Sequence, residues 1–213
     1  MSENKIRYSD LFWLFIAASW FGVILEGLYC LFKFGKWESH VVSIYGHFCI
    51  IYGVGVIFYY IFCNIFKNKN IFLKFITYAS LGTFVELVCG LLLDYGLGMR
   101  AWSYENSFLN FHGYICFFMF VIWGLFGLGF EKIIPLLRKG LKITEHKIFK
   151  IILPFFTIFM VINLSFTSLR ITRWSQRHNN KSPHNFVDRY IDKKYDDKYM
   201  SKRFMEWYFI DDK

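Results

Sequence analysis

The sequence predicts an all-α membrane protein with about five transmembrane helices. Of the 213 residues, 55% are hydrophobic and 23% are aromatic, and the mean hydropathy is +0.33. The apolar residues gather into runs that contain few charges and that reach the ~20 residues needed to cross a bilayer core. These runs predict spans at about residues 11–32, 44–66, 71–93, 113–130 and 149–169.

The predicted spans divide the chain into four parts. Residues 1–10 form a short N-terminal segment, and the apolar run after it is too long for a signal peptide. Residues 11–130 form a four-helix membrane core, and residues 131–169 form a basic connector and the fifth span. Residues 170–213 form a polar and aromatic C-terminal tail. The tail pattern is compatible with an interfacial amphipathic helix and also with a solvated, partly disordered segment.

The formal net charge of +9 comes from loops and the tail, where Lys and Arg set topology and contact lipid head groups. With five spans, the N-terminal segment and the second and fourth loops share one side and hold eleven Lys or Arg residues, against three in the first and third loops. We therefore expect a membrane protein that contacts the lipid bilayer, has a cytoplasmic N-terminus and binds no nucleic acid. This orientation places the C-terminal tail outside the membrane. The tail, however, begins with Arg170, Arg173 and Arg177, and basic residues favour the cytoplasmic side. The abundance of Phe, Ile, Lys and Asn is typical of AT-rich bacterial genomes and favours the bacterial cytoplasmic membrane.

Glu26 and Glu86 are the main functional candidates because each lies in an apolar span. A carboxylate at the bilayer centre costs about 2.5–3.5 kcal/mol on insertion scales, so such residues are rare and usually functional. Gly22 and Gly82 precede them by one helical turn, on the same helix face. Small residues of this kind let a neighbouring helix approach closely. The alternative is that both glutamates approach the membrane interface and are solvated.

The first two spans and the next two contain similar features in the same order. Each pair has Gly-x-x-x-Glu, then Cys, then Gly-x-x-Cys, then an aromatic residue followed by Gly. We interpret this order as a parallel repeat of one helical hairpin, related by an axis along the membrane normal. The paired features are Gly22 and Gly82, Glu26 and Glu86, Cys30 and Cys89, Gly46 and Gly113, Cys49 and Cys116, and Tyr52-Gly53 and Trp123-Gly124.

The first and third loops supply further polar candidates for a pocket that contains both glutamates. Arg100 could pair with an acidic neighbour or clamp an anionic group through its planar fork. The histidines could relay protons, or could be hydrogen-bonded residues at helix ends. Two aromatic residues suit an interfacial belt. The full candidate pocket is Glu26, Glu86, His47, Asp94, Arg100, Asn110 and His112, with Trp102, Tyr104, Gly22, Gly82, Gly46 and Gly113 as supporting residues.

Several motifs that would indicate other chemistry do not occur in the sequence. The five cysteines fall in apolar segments, and neither a CxxC pair nor a Cys/His spacing predicts a metal site. There is no Walker A motif, no GxSxG and no HExxH. We therefore predict no cofactor and no metal, and we expect any ATP-driven function to need a separate ATPase subunit.

Several segments of the chain form a distinctive set: Trp20-Phe-Gly22, Leu25-Glu26, Gly46-His-Phe-Cys49-Ile-Ile-Tyr52-Gly53, Val85-Glu86, Leu93-Asp94, Arg100-Ala-Trp102-Ser-Tyr104, Asn110-Phe-His-Gly113 and Trp123-Gly124. Together they resemble the CmpB family of ABC-transporter permeases, which includes vertebrate multi-pass membrane proteins. The resemblance covers roughly residues 10–130 and implies a membrane permease. The chain departs from the family pattern at His47, Ile50, Ala101, Ser103, His112 and Phe118.

Three functions are compatible with these features. The first is a permease or transporter component whose carboxylates bind a small polar or cationic solute or carry coupled protons. The second is an intramembrane enzyme on a lipid head group or lipid-linked substrate, in which one carboxylate is the acid and the other the base. The third is a membrane scaffold in which the charges only lock helices together. The absence of a nucleophile or metal motif favours a protein that is not an enzyme.

Overall fold

We describe residues 6–212 of the chain from a computed structural model. This part of the chain is mostly helical, consistent with an all-α membrane protein, and contains one two-stranded sheet. The helices are α1 (Tyr8–Phe34), α2 (Ile50–Ile65), α3 (Ile71–Leu97), α4 (Phe117–Leu141), α5 (Lys147–His178), α6 (Phe186–Lys194) and α7 (Asp197–Arg203). Strands β1 (Met99–Arg100) and β2 (Tyr208–Phe209) pair antiparallel. Short 3-10 turns cover Lys142–Glu145 and Ile210–Asp212.

Local signals in the sequence set several helix ends. The side chain of Asn70 accepts a hydrogen bond from the backbone N–H of Leu73 at 2.8 Å and caps the start of α3. Gly35 and Gly98 follow α1 and α3 with φ values of 71° and 65°. Only glycine adopts this left-handed conformation without strain, so both helices end where a glycine allows the chain to turn.

Four of these helices, α1, α3, α4 and α5, are long and apolar enough to cross a membrane. Helix α2 is apolar but has 16 residues, which correspond to about 24 Å of helix. The second predicted span began at residue 44, six residues too early. The difference arises because Gly46 has a φ of 76° and the backbone of Tyr45 is hydrogen-bonded to Asn163 of α5 instead of to a helix.

The first two hairpins share a set of contacts. A Cβ on Gly22 would overlap the ring of Tyr52 on the facing helix, and a Cβ on Gly82 would overlap Trp123. In the other direction, Gly53 faces Phe15 and Gly124 faces Phe75. The same kinds of contact occur in the same order in both hairpins, so the pairs α1–α2 and α3–α4 pack in a similar way.

The segment after α5 forms a folded unit, which we call the cap (residues 179–212). Its apolar side chains pack with loop 1 (residues 35–49), loop 3 (residues 98–116) and the end of α5. The shared core consists of Ile44, Met99, Ile171, Trp174, Ile191, Tyr195, Met200, Phe204, Trp207 and Phe209. Part of the segment is therefore folded against the two loops and α5, with Tyr195, Phe204 and Trp207 buried, while Phe186 and Tyr190 of α6 remain exposed.

Ion pairs attach the cap to α5. Arg173, whose side chain is 3% exposed, donates two hydrogen bonds of 2.8 Å to Asp192 of α6. Arg177 also pairs with Asp192, at 2.8 Å. The hydrogen bonds from Arg173 and then those from Arg177 hold the pKa of Asp192 below its ordinary value. Arg173 and Arg177, which are among the basic residues that argue against the predicted topology, thus form ion pairs within the protein.

The contacts at the two ends of the bundle show which segments lie together. At one end, the cap lies against loops 1 and 3. At the other end, Arg7 before α1 forms an ion pair of 2.7 Å with Glu145 between α4 and α5. The start of α1 and the cap are therefore at opposite ends of the bundle, which α1 to α5 traverse in turn.

Candidate functional site

A cavity of about 340 Å³ lies between the two hairpins and the cap. Its walls come from α1 to α4, loops 1 and 3, and the cap. The polar and aromatic lining residues are Glu26, Tyr29, His40, Cys49, Tyr52, Tyr59, Glu86, Trp102, Tyr104, Trp123, Phe126, Glu206 and Trp207. Both candidate glutamates thus line one cavity, in the half of the bundle nearer the cap.

The Glu26 carboxylate is half-buried on α1 and faces α2. The phenol of Tyr52 donates a hydrogen bond to its Oε1 atom. The ring of Tyr52 packs against Gly22, one turn before the carboxylate on the same helix face. The glycine leaves the space that the ring needs to approach α1, and this approach places the hydroxyl on the carboxylate.

Glu86 repeats this arrangement on α3 and is more deeply buried, with a relative exposure of 6%. The indole N–H of Trp123 donates to its Oε2 atom at 2.8 Å, and the Tyr104 hydroxyl donates to its Oε1 atom at 3.0 Å. Burial, followed by the charge and hydrogen bond of Glu86, raises the pKa of Tyr104 above its ordinary value, so this residue remains a neutral donor. Each carboxylate oxygen of Glu86 therefore has a neutral partner.

The charge of the cavity is unbalanced. Among the described residues that line it, three are glutamates, Glu26, Glu86 and Glu206, and none is Lys or Arg. The imidazole of His40 contacts the carboxylate of Glu206 where loop 1 meets the cap. Glu26 and Glu86 are hydrogen-bonded by phenol and indole groups, which orient a carboxylate without neutralising it.

Asp94, in the last turn of α3, and Arg100, in loop 3, belong to a separate cluster and do not line the cavity. Arg100 donates to Asp94 at 3.3 and 3.2 Å and to Glu105 at 2.5 Å. The Tyr114 hydroxyl also donates to Asp94, at 2.7 Å, and the Trp102 indole donates to the Tyr114 carbonyl at 2.9 Å. Of the two alternatives for Arg100, the structure has the pairing with acidic neighbours, which holds loop 3 over the cavity.

His47, Asn110 and His112 lie on the exposed surface of loops 1 and 3, outside the cavity. The sequence pattern placed the two histidines at helix starts, but α2 begins at Ile50 and α4 at Phe117. Asn110 stabilises a turn, because its amide group donates to the carbonyls of residues 105 and 107 at 2.9 and 3.0 Å. Its side-chain oxygen accepts from the N–H of Gly113 at 3.1 Å.

Gly46 and Gly113 have conformational roles in these loops. Both have positive φ values, 76° and 74°, which glycine adopts at least cost. A Cβ on Gly113 would also press on Glu105, Arg100 and Ser103. These glycines form turns that bring the loops over the cavity, and they do not contact its interior.

Several cavity residues were absent from the sequence-based candidate set. Tyr52 and Trp123 were noted as repeat positions, and their spacing from Gly53 and Gly124 could have identified them as partners of the two glutamates. Glu206 and His40 carried no such signal, because 166 positions separate them. Their contact depends on the folded cap.

Comparisons with known proteins give a family and no individual relative. Neither a curated protein nor a solved structure matches this chain. One family model, described as "Putative ABC-transporter type IV", matches residues 13–168, from the first turns of α1 to the second half of α5. The match covers most of the chain, including all of α2, α3 and α4 and most of α1 and α5. The chain therefore belongs to this family, the CmpB family of ABC-transporter-type membrane proteins.

Proposed function

We propose that the chain is the membrane component of a transporter and that its cavity binds a small organic cation. The observation that carries this proposal is the presence of Glu26 and Glu86 in one aromatic-lined cavity whose described lining contains no Lys or Arg and whose histidine, His40, contacts Glu206 instead. The family membership supports a role in transport.

The electrostatics of the cavity favour a positive ligand. Two unit charges 4 Å apart attract with about 4 kcal/mol at an effective dielectric constant of 20, compared with about 1 kcal/mol in water. The carboxylates of Glu26 and Glu86 lie among apolar helices, so they attract a cation between them more strongly than they would at the protein surface. An anionic ligand would meet three glutamates and is disfavoured.

The aromatic lining favours an organic cation over a hydrated metal ion. The faces of Trp, Tyr and Phe attract ammonium groups, by about 0.5–1 kcal/mol when exposed and about 2 kcal/mol or more when desolvated. Trp102, Trp123, Trp207, Tyr59 and Phe126 all line the cavity. Its volume of about 340 Å³ lies at the lower end of the range for small-molecule sites. We therefore infer a ligand with a substituted ammonium group and few heavy atoms.

A separate ATPase subunit is the partner that this proposal requires. The sequence contains no Walker A motif, while the family is of ABC-transporter type. The end of the bundle opposite the cap carries the basic connector and the short turn between α2 and α3, and these are the surfaces available to a cytoplasmic subunit. Affinity purification of the full chain from its own membranes, followed by mass spectrometry, should recover an ATPase.

The orientation follows from the distribution of charge. We infer that the N-terminus is cytoplasmic and that the cap lies outside the bacterial cytoplasmic membrane. The short loops with excess Lys and Arg set topology more strongly than long translocated segments. Basic residues near the end of α5 would favour a cytoplasmic location for the cap. Arg173 and Arg177 are paired with Asp192, however, so their charges count less against an external cap.

Ligand-induced thermal stabilisation tests the cation site. The full chain, purified in detergent, is heated with choline or tetraethylammonium, and with dimethylbutanol, the uncharged carbon isostere of choline. We expect at least one cation to raise Tm in a saturable way and the isostere to have no comparable effect. Glu86→Gln should abolish the cation effect, and Asp94→Asn, which changes a carboxylate outside the cavity, should retain it. No shift with either cation, or an equal shift with the isostere, would contradict the proposal.

The same variants separate this proposal from the two other functions. A scaffold role predicts that Glu86→Gln prevents accumulation of folded protein, because the carboxylate would then serve only helix packing. An enzyme acting on lipid head groups predicts an altered lipid class in a deletion strain. The transport proposal predicts a folded Glu86→Gln protein, with unchanged lipid classes, that no longer binds the cation.

A further inference from the structure

Three potential metal ligands converge where α1 meets loop 1. Cys30 lies in the last turns of α1, and Glu38 and His40 follow in the loop. One ligand atom from each residue lies within 4.8 Å of the other two. The Sγ atom of Cys30 is 3.2 Å from Nε2 of His40. Residues ten positions apart thus bring a thiol, an imidazole and a carboxylate to one point.

We propose that Cys30, Glu38 and His40 bind a divalent cation of the Zn²⁺ class. Thiolate, imidazole and carboxylate are the ligands that zinc takes in proteins. With Zn–S of about 2.3 Å and Zn–N of about 2.0–2.1 Å, tetrahedral geometry places sulfur and nitrogen roughly 3.5 Å apart. The observed distance of 3.2 Å between Sγ of Cys30 and Nε2 of His40 is only a few tenths of an ångström shorter than this. Three protein ligands leave a fourth position for water.

The surroundings of His40 match those of a metal-binding histidine. Its second ring nitrogen, Nδ1, contacts the carboxylate of Glu206 in the cap. Metal-binding histidines commonly donate this second N–H to a carboxylate, which fixes the ring orientation and raises the basicity of the ligating nitrogen. Glu206 therefore holds His40 with Nε2 directed at Cys30.

Burial and charge are also compatible with a metal at this point. Cys30 is 2% exposed, while Glu38 and His40 are half-buried, so the site is shielded on one side and open on the other. His40 lines the cavity, which provides a path to the site. Lys36 pairs with Glu38 at 2.7 Å, but the Lys36 side chain is 69% exposed. Breaking this exposed ion pair to free Glu38 for a metal therefore costs little free energy.

A bound cation would connect three parts of the structure. Cys30 belongs to α1, Glu38 and His40 to loop 1, and Glu206 links His40 to the cap. Since the metal binds the folded arrangement, it should stabilise the cap against the bundle. The metal ligands Cys30, Glu38 and His40 differ from Glu26 and Glu86, which carry the proposed cation site, so this inference does not depend on that site, although His40 and Glu206 also line the cavity.

Cobalt titration of the full-length protein in detergent tests the site directly. Co²⁺ replaces Zn²⁺ with similar geometry, and a thiolate ligand produces a charge-transfer absorption band. We expect one equivalent of Co²⁺ to produce this band and excess Zn²⁺ to remove it. The band should be lost in Cys30→Ser and retained in Cys116→Ser, which changes another buried cysteine. Glu206→Gln should weaken metal binding about 10–100-fold, as is typical when a residue that orients a metal ligand is replaced.

A second measurement covers the case in which Cys30→Ser fails to fold. In the native protein, bound Zn²⁺ should slow alkylation of Cys30 under partly denaturing conditions without slowing that of Cys116, as measured by mass spectrometry. Zn²⁺ should also raise the Tm of the native protein. The proposal is overturned if no thiolate–cobalt band forms, if the band persists in folded Cys30→Ser, or if Zn²⁺ leaves the alkylation of Cys30 unchanged.

Discussion

Trp123 of α4 donates its indole N–H to the carboxylate of Glu86 on α3 at 2.8 Å. The same side chain occupies the space over Gly82, one helical turn before the glutamate. In the first hairpin, Tyr52 has this relationship to Glu26 and Gly22. Glycine, aromatic donor and carboxylate thus form one repeated unit, and two copies of it face the same cavity. The predictions below test this unit, the cap and the topology.

The close approach of Trp123 to α3 requires glycine at position 82. Gly82→Ala would place a Cβ inside the Trp123 side chain, and such overpacking typically costs about 1–3 kcal/mol. Thermal unfolding in detergent should show the loss. Gly129→Ala on α4 is the matched control, because a Cβ there meets nothing within 4 Å. Equal stability of the two variants would show that the glycine is not needed for packing.

The hydrogen bond from Trp123 should contribute more to the free energy of unfolding when residue 86 is a carboxylate than when it is an amide. Trp123→Phe removes the donor, and hydrogen bonds to charged groups contribute about 1.5–3 kcal/mol, compared with about 0.5–1.5 kcal/mol for neutral ones. We therefore expect Trp123→Phe to destabilise the native protein more than it destabilises Glu86→Gln. A double-mutant cycle from chemical unfolding measures the difference. A coupling free energy near zero would mean that the contact contributes nothing to stability.

The cap should depend on the charge of Asp192. Because Arg173 and Arg177 lower its pKa, its contribution to stability is complete above the ordinary Asp pKa and is lost as the pH falls through the lowered value. At neutral pH, Asp192→Asn should cost about 1–3 kcal/mol, since it leaves the buried Arg173 short of a partner. Hydrogen exchange of residues 186–209 should accelerate.

Exposed Asp212 in the cap provides the control for this substitution. Asp212→Asn should leave exchange in residues 186–209 unchanged at neutral pH. If Asp192→Asn behaves like Asp212→Asn, the ion pairs with α5 do not hold the cap in place.

The five crossings and the inferred orientation predict a pattern of chemical labelling. Single cysteines are introduced at Asn68, between α2 and α3, and at Asn106 in loop 3 and Asn180 in the cap. The native cysteines are replaced by serine. A membrane-impermeant maleimide applied to intact cells should label positions 106 and 180, and should label position 68 only after permeabilisation. Labelling of position 180 together with position 68, or of position 68 alone, would contradict the arrangement.

The sequence predicted the helical class and the two central carboxylates because these depend on local patterns. Apolar runs define spans, and Gly-x-x-x-Glu places small and acidic residues on one helix face. Helix starts were less accurate, since the start of α2 is set by Asn163 of α5, which is distant in sequence. The role of Arg100 was open for the same reason: its partners depend on how loop 3 folds over Asp94.

The cap and its contribution to the cavity could not be inferred from sequence pattern. Glu206 and Trp207 reach the cavity because α6, α7 and β2 fold back onto loops 1 and 3. The driving force is burial of aromatic residues such as Phe204 and Trp174 against non-local partners. A local pattern records the hydrophobicity of these residues but not the surface that covers them.

A double-mutant cycle on cation binding tests the central claim most directly. The dissociation constant of choline, or of tetraethylammonium if it binds more tightly, is measured by isothermal titration for the native protein, Glu26→Gln, Glu86→Gln and the double variant. We predict at least about a tenfold loss for each single variant and a coupling free energy of about 0.5–3 kcal/mol, because both carboxylates act on one ligand. Unchanged affinity in both single variants, or fully additive losses, would contradict a shared site.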